Sequence, residues 1–193
     1  MEPTSVRSPA VAGRFYPHKR EDLLREVDQY LKPESPDEKT IESAIGCVVP
    51  HAGYMYSGHV AGAVYRLLPT PSRYVILGPN HWARGSPLAV MSAGSWLTPL
   101  GQAPLDTELA RNICEKCPLL AEDDQAHAGE HSLEVQVPFL QRLSSTFKFV
   151  PIAIAMADYA SLELLGHAIA DAIRRSAEPV LIVASSDMNH YEP

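Results

Sequence analysis

Three apolar stretches of this sequence end alike. AIGCVV (44–49) runs into Pro50-His51-Ala52-Gly53-Tyr54, YVIL (74–77) into Gly78-Pro79-Asn80-His81, and PVLIVA (179–184) into Ser185-Ser186-Asp187-Met188-Asn189-His190-Tyr191. Each is an apolar run, a tight turn, then a histidine. Neutral imidazoles gathered from such loops form a nest suited to zinc, iron or copper. Asp187 adds a carboxylate, either as a ligand or as an orienter of a ring N–H. A single histidine after a strand is ordinarily a loop residue or a hydrogen-bonded core group. Three in the same topological position point to one shared site, because polar groups buried there need partners or a ligand.

A second histidine group lies at His127-Ala128-Gly129-Glu130-His131, which fits the H-x-x-E-H pattern of inverted zinc peptidases. That pattern needs a helix to put both histidines on one face. Gly129 weakens a helix there, and Ser132 reads as a helix start just beyond it. The peptidase is therefore a distant alternative. The favoured expectation is that Glu130, His131 and Glu134 project from a helix N-terminus toward the same pocket. Cys114-Glu115-Lys116-Cys117 is a C-x-x-C, but a structural zinc site wants a second pair and only Cys47 remains. The motif closes a helix where a thioredoxin-like motif would open one, so the two thiols read as incidental. His59 and His167 fall inside helical patterns, His18 falls in a loop, and none receives a role. Residues 96–101 (WLTPLG) read as a turn-rich stretch whose tryptophan packs in the core by default, with a pocket wall as the alternative.

These residues need elements to position them. REDLLREVDQYL (20–31) carries apolar residues at helical spacing. Residues 58–68 form a helix rich in small residues, stopped by Pro69. Asp106 and Asp158 stand where side chains cap helices, through about Glu115 and from Tyr159 to Arg175. Residues 132–143 are a further helical stretch, with Pro138 as a kink or a late first turn. Residues 88–91 and 147–155 are added strand candidates. Strands alternate with helices, and several strands are apolar on both faces. The expected fold is α/β, with a largely parallel or mixed sheet covered by helices. Such sheets bind ligands outside the carboxyl ends of their strands, where the histidines stand.

The 193 residues suit a single domain, and no internal boundary or repeat interrupts them. Hydrophobic residues make up 46%, enough for a core, and 23 acids against 16 bases give a net charge of −7. No Lys/Arg cluster offers a nucleic-acid footprint. No apolar run reaches the roughly 18 residues a membrane span needs. The N-terminus lacks a signal-peptide core, and three cysteines make a poor disulfide framework. A cytoplasmic location is expected.

Six segments carry a resemblance: RSPAVAGRFYP (7–17), PHAGYMYSGHVAG (50–62), ILGPNH (76–81), WLTPLG (96–101), EHSLEVQVPFL (130–140) and SSDMNHY (185–191). Spread over nearly the whole chain in one order, they resemble the Memo-like family, also called AmmeMemoRadiSam system protein B. The resemblance implies a fold like that of class III extradiol ring-cleaving dioxygenases, which hold a non-haem iron. It implies His51 and His81 as metal ligands, His190 as an acid/base group with Asp187 beside it, and His131 lining the cleft. It implies iron or copper as the metal, with zinc as a further option, and redox chemistry of undefined substrate. It also implies radical-SAM and AMMECR-type proteins as partners. A eukaryotic relative is described as a binder of phosphotyrosine-containing receptor segments.

In both families the third protein ligand comes from a later segment, and this sequence stops at Pro193. A chain lacking its C-terminal part is the expectation, with Asp187 as the best available mimic of a two-histidine, one-carboxylate site. Two functions compete. One is a metal-dependent, dioxygenase-like enzyme acting on a small molecule. The other is a non-catalytic module using the same cleft for a phosphorylated or acidic peptide.

Overall fold

Side-chain alternation in the apolar runs accounts for the sheet, as seen in the computed structural model, which describes residues 5–189. The chain opens with a two-residue strand β1 (Val6–Arg7) and the amphipathic helix α1 (Arg20–Tyr30), which buries Leu23 and Val27. Strand β2 (Gly46–Val49) leads into α2 (Tyr54–Leu67), which starts four residues ahead of Gly58. Then come β3 (Arg73–Pro79), β4 (Leu88–Val90), and a hairpin of β5 (Ser95–Thr98) and β6 (Gly101–Pro104). Helix α3 (Thr107–Cys114), strand β7 (Ala121–Glu122) and the one-turn helix α4 (Gln125–Ala128) follow. A 3-10 turn (Glu134–Gln136) opens into α5 (Val137–Leu143), and β8 (Lys148–Ile154), α6 (Tyr159–Arg175) and β9 (Val180–Ser185) complete the described chain.

Both expected caps form. Asp106 accepts from Leu109 N at 3.1 Å and Asp158 from Ser161 N at 2.8 Å. Asp106 also takes a two-point ion pair from Arg73 on β3, at 2.6 and 2.9 Å, which ties α3 to the sheet. Pro138 sits in the first turn of α5, where its missing N–H costs no helical bond. The stretch at 96–101 is the hairpin corner, and Gly101 turns it at φ +120°, a conformation glycine adopts without strain.

The main sheet has the order β2-β9-β3-β8-β4-β7. Its first four strands are parallel; β4 runs antiparallel to β8, and β7 is parallel to β4. A smaller sheet, β1-β5-β6, stands beside it. The fold is the mixed α/β arrangement the sequence led us to expect. Tyr74, Ile76, Phe149, Leu181 and Val183 face one core, shared with α1, α2 and α5. Their alternates Val75, Val150, Ile152 and Val180 face the other, shared with α3 and α6. Burial on both faces is why these strands read as continuous apolar runs. Cys117 is part of the second core and Cys114 ends α3; both are free thiols. Among the described residues, no helix is long and apolar enough to cross a membrane.

The small residues of α2 serve a close helix contact. A Cβ on Gly62 would stand 2.4 Å from the carbonyl oxygen of Tyr30 and 2.6 Å from its carbon. Backbone atoms cannot swing aside as a side chain can. Gly62→Ala should therefore lower stability by about 1–3 kcal/mol despite alanine's better helix propensity. A urea midpoint at or above wild type would refute this contact.

Candidate metal centre

Strands β2, β9 and β3 are parallel neighbours, so their carboxyl ends share one edge of the sheet. The register places Val49 beside Ser185 and Leu77 beside Ala184. His51, Asp187 and His81 each stand two residues beyond the end of their strand, at 49, 185 and 79. The convergence expected from three similar strand ends is thus met for these three. His190 lies outside the described residues. His131 arrives by another route, from the loop between α4 and the 3-10 turn.

The three described histidines form one cluster. One ring nitrogen from each of His51, His81 and His131 lies within 4.8 Å of the other two. The rings of His81 and His131 stack at 4.4 Å, and His51 meets both edge-on at 5.2 and 5.6 Å. Three imidazoles on one ion at about 2.0–2.1 Å are the protein share of many catalytic metal sites, which keep a further position open. The sequence placed His131 on the wall of the cleft and offered only Asp187 as a stand-in for the missing third ligand. The structure brings His131 into the same group as the other two.

One buried carboxylate frames two of the rings. Glu130 accepts from His81 N at 2.6 Å, His81 Nδ1 at 2.9 Å, and the backbone N–H groups of His131 and Ser132, each at 2.8 Å. An ionised carboxylate only accepts, so His81 Nδ1 carries a proton and the ring turns Nε2 away from Glu130. Burial pushes the Glu130 carboxyl up, but the bonds from Ser132 N–H and His81 outweigh it and hold it below its usual range. This is the carboxylate–histidine pairing by which proteins orient metal-binding imidazoles.

His51 is framed differently. Its Nδ1 lies 3.0 Å from Ser185 Oγ. Asp187 Oδ1 accepts from the backbone N–H groups of His51 and Ala52, at 2.5 and 3.0 Å, fixing the turn after β2. Asp187 Oδ2 is 3.7 Å from His51 Nε2, and among the described residues that nitrogen has no hydrogen-bond partner although buried. A buried, bare nitrogen facing two other imidazoles is what a cation would satisfy. Burial drives the His51 imidazole down to about 4 against the opposing pull of Asp187, and burial lowers His131 too. The site therefore combines the neutral imidazoles of His51 and His131 and the ring of His81 with two neighbouring carboxylates, a donor set that fits a divalent ion.

The loop carrying Glu130 and His131 is held by the N-terminal segment. Arg7 donates to His127 O and Glu130 O, both at 2.7 Å, pairs with Glu134 at 2.7 Å, and lies 4.1 Å over the Trp96 ring. Glu134 also accepts from Ala10 N, Val11 N and the Tyr16 hydroxyl, at 2.8, 3.1 and 2.6 Å. Glu134 thus faces the N-terminal segment and does not join the pocket as the sequence reading expected. Its place beside Glu130 in the chain is misleading because the 3-10 turn rotates it away. Phe15 completes the frame by packing on His131, ring centroids 4.5 Å apart.

The HAGEH peptidase geometry does not form. Helix α4 ends at Ala128, and His127 is buried in the core against Trp96, away from the cluster containing His131. Burial, aided by the Arg7 charge, pushes its imidazole down to about 4. Ser185, Gln136 and Arg7 were not singled out as site residues. Serine and glutamine signal nothing by type, and Arg7 lies over 120 residues from the loop it holds.

Comparison with known proteins agrees with the motifs. A family model described as Memo-like protein matches residues 7–193. A MEMO1 family protein of Archaeoglobus fulgidus is 47% identical over 188 residues, covering 97% of this chain and 69% of that protein. Similar proteins of Pyrobaculum arsenaticum and Methanopyrus kandleri are 43% and 42% identical, each covering 97% of this chain and 70% of the relative.

Proposed function

Since the chain belongs to the Memo-like protein family, we propose that it is a metal-dependent protein whose His51, His81 and His131 hold one iron or copper ion for redox chemistry on a small oxygen-bearing molecule. The carrying observation is the cluster itself, three imidazoles with nitrogens within 4.8 Å of one another. The orphaned Nε2 of His51 and the Glu130–His81 pair support it. An ion held by three imidazoles would supply Lewis-acid or one-electron chemistry at an open position. The protein's own work is binding through the three rings, orientation of His81 by Glu130, and fixing of the His51 turn by Asp187. Phe15 shields one side of His131 from water.

The test is elemental analysis of protein purified without added metal, followed by anaerobic titration with iron(II) and with zinc(II). The wild type should bind about one ion, the stoichiometry of a mononuclear site. His51→Ala, His81→Ala and His131→Ala should each abolish that binding, and Asp187→Ala should weaken it. No bound metal in the wild type, or full retention in His51→Ala, would end this reading. Oxygen uptake by the iron-loaded protein with catechols then tests the dioxygenase-like form of the chemistry.

A further inference from the structure

We infer that Ser185, Gln136 and Tyr65 form a buried positioning chain that locks His51 in its Nδ1–H tautomer and so presents Nε2 as the bare nitrogen. A count of protons and lone pairs fixes the tautomer. Gln136 directs its amide nitrogen at two oxygens, Pro50 O at 3.0 Å and Ser185 Oγ at 2.9 Å. A backbone carbonyl has no proton to give, so the group facing Pro50 must be the NH₂. Its other end, Oε1, accepts from the Tyr65 hydroxyl at 2.9 Å. Burial raises the Tyr65 phenol well above its ordinary range, so it keeps that proton.

Ser185 is then fully specified. A hydroxyl has one proton and two lone pairs. The proton goes to Ser132 O, 2.6 Å away, because that carbonyl can only accept. One lone pair takes the Gln136 proton. What remains toward His51 Nδ1, at 3.0 Å, is a lone pair, so Nδ1 must be the donor. Ser185, Gln136 and the His51 ring are all buried, so water does not compete.

The chain spans four elements, since Tyr65 lies on α2, Gln136 in the 3-10 turn, Ser185 at the end of β9, and His51 after β2. It differs from the charged Glu130 bond on His81, so the two rings are fixed by unlike partners. The nitrogen that a metal takes is set by the bond the other nitrogen makes. The tautomer stands on the geometry alone; its consequence for metal rests on the reading above.

Long-range ¹H–¹⁵N correlation spectra of the full chain labelled with ¹⁵N-histidine report the tautomer directly. Metal-free wild type should show His51 protonated at Nδ1. Ser185→Ala should shift it toward the Nε2–H form, Ser185→Thr should restore Nδ1–H, and Ser185→Ala should weaken zinc(II) binding by about 10–100-fold. Nε2–H in the wild type overturns the inference whether or not Ser185→Ala folds, and so does an unchanged tautomer in a folded Ser185→Ala. Nδ1–H in a wild type that binds neither iron(II) nor zinc(II) and carries no metal as purified keeps the inference and removes the metal reading. Zinc bound with Nε2–H in the metal-free form does the reverse.

Discussion

Glu130→Ala should cost the protein about 3–5 kcal/mol, the range for removing one member of a buried charged network, and should also remove tight metal binding. The carboxylate is 1% exposed and accepts from the backbone N–H groups of His81, His131 and Ser132 and from the His81 ring. Each donor left without a partner costs about 1–3 kcal/mol when water cannot reach it. The His81 ring is partly open to solvent and recovers some of its share. The backbone groups of His131 and Ser132 recover less. Without its anchor the His81 ring is free to turn, and loss of such an orienting partner costs about 10–100-fold in metal affinity. Glu130→Gln keeps one accepting oxygen and should fall between alanine and wild type on both measures. Urea unfolding and zinc(II) titration on the same preparations check this. A Glu130→Ala protein within about 0.5 kcal/mol of wild type, the scatter of an ordinary surface change, would show that the carboxylate does not organise the site.

Arg7→Ala should destabilise by a similar amount, about 3–5 kcal/mol, by leaving Glu134 charged in the interior. Both side chains are nearly inaccessible, at 4% and 1% exposure. The guanidinium is also the link from β1 to the carbonyls of His127 and Glu130, and it covers Trp96. Arg25 offers a control. Its pair with Asp22 is exposed, so Arg25→Ala should change stability by only about 0–1 kcal/mol. Equal effects of the two substitutions on the urea midpoint would refute the role assigned to Arg7. Because Arg7 grips the loop that bears Glu130 and His131, its loss should weaken zinc(II) binding as well, although it touches no proposed ligand.

Much of this architecture is legible in one dimension. The apolar runs at β3 and β9 announce themselves because burial on both sheet faces leaves no polar alternation, whereas β2 is an edge strand with Val48 exposed and is marked only by its apolar composition. The caps Asp106 and Asp158 are local, acting within three residues. The short strands β1, β5, β6 and β7 are not legible. Two to four residues give no period, and their pairing is decided by distant partners, as when Val6 meets Ser95.

The candidate site divides along the same line. His51, His81 and Asp187 could be found because each stands two residues past an apolar strand, so local sequence and sheet polarity together fix their place. His131 has no such marker. Its ring reaches the cluster because Glu130, Phe15 and the Arg7 bonds to the loop just before it hold its segment there. Glu134, close by in sequence, turns instead to Arg7 and Tyr16. Sequence by itself determined which elements form and which loops carry imidazoles, since propensity and burial pattern act over a few residues. Only the tertiary structure decided which histidines meet and which nitrogen of a ring is left bare. Those depend on hydrogen bonds between residues 49 and 134 positions apart, which no local pattern encodes.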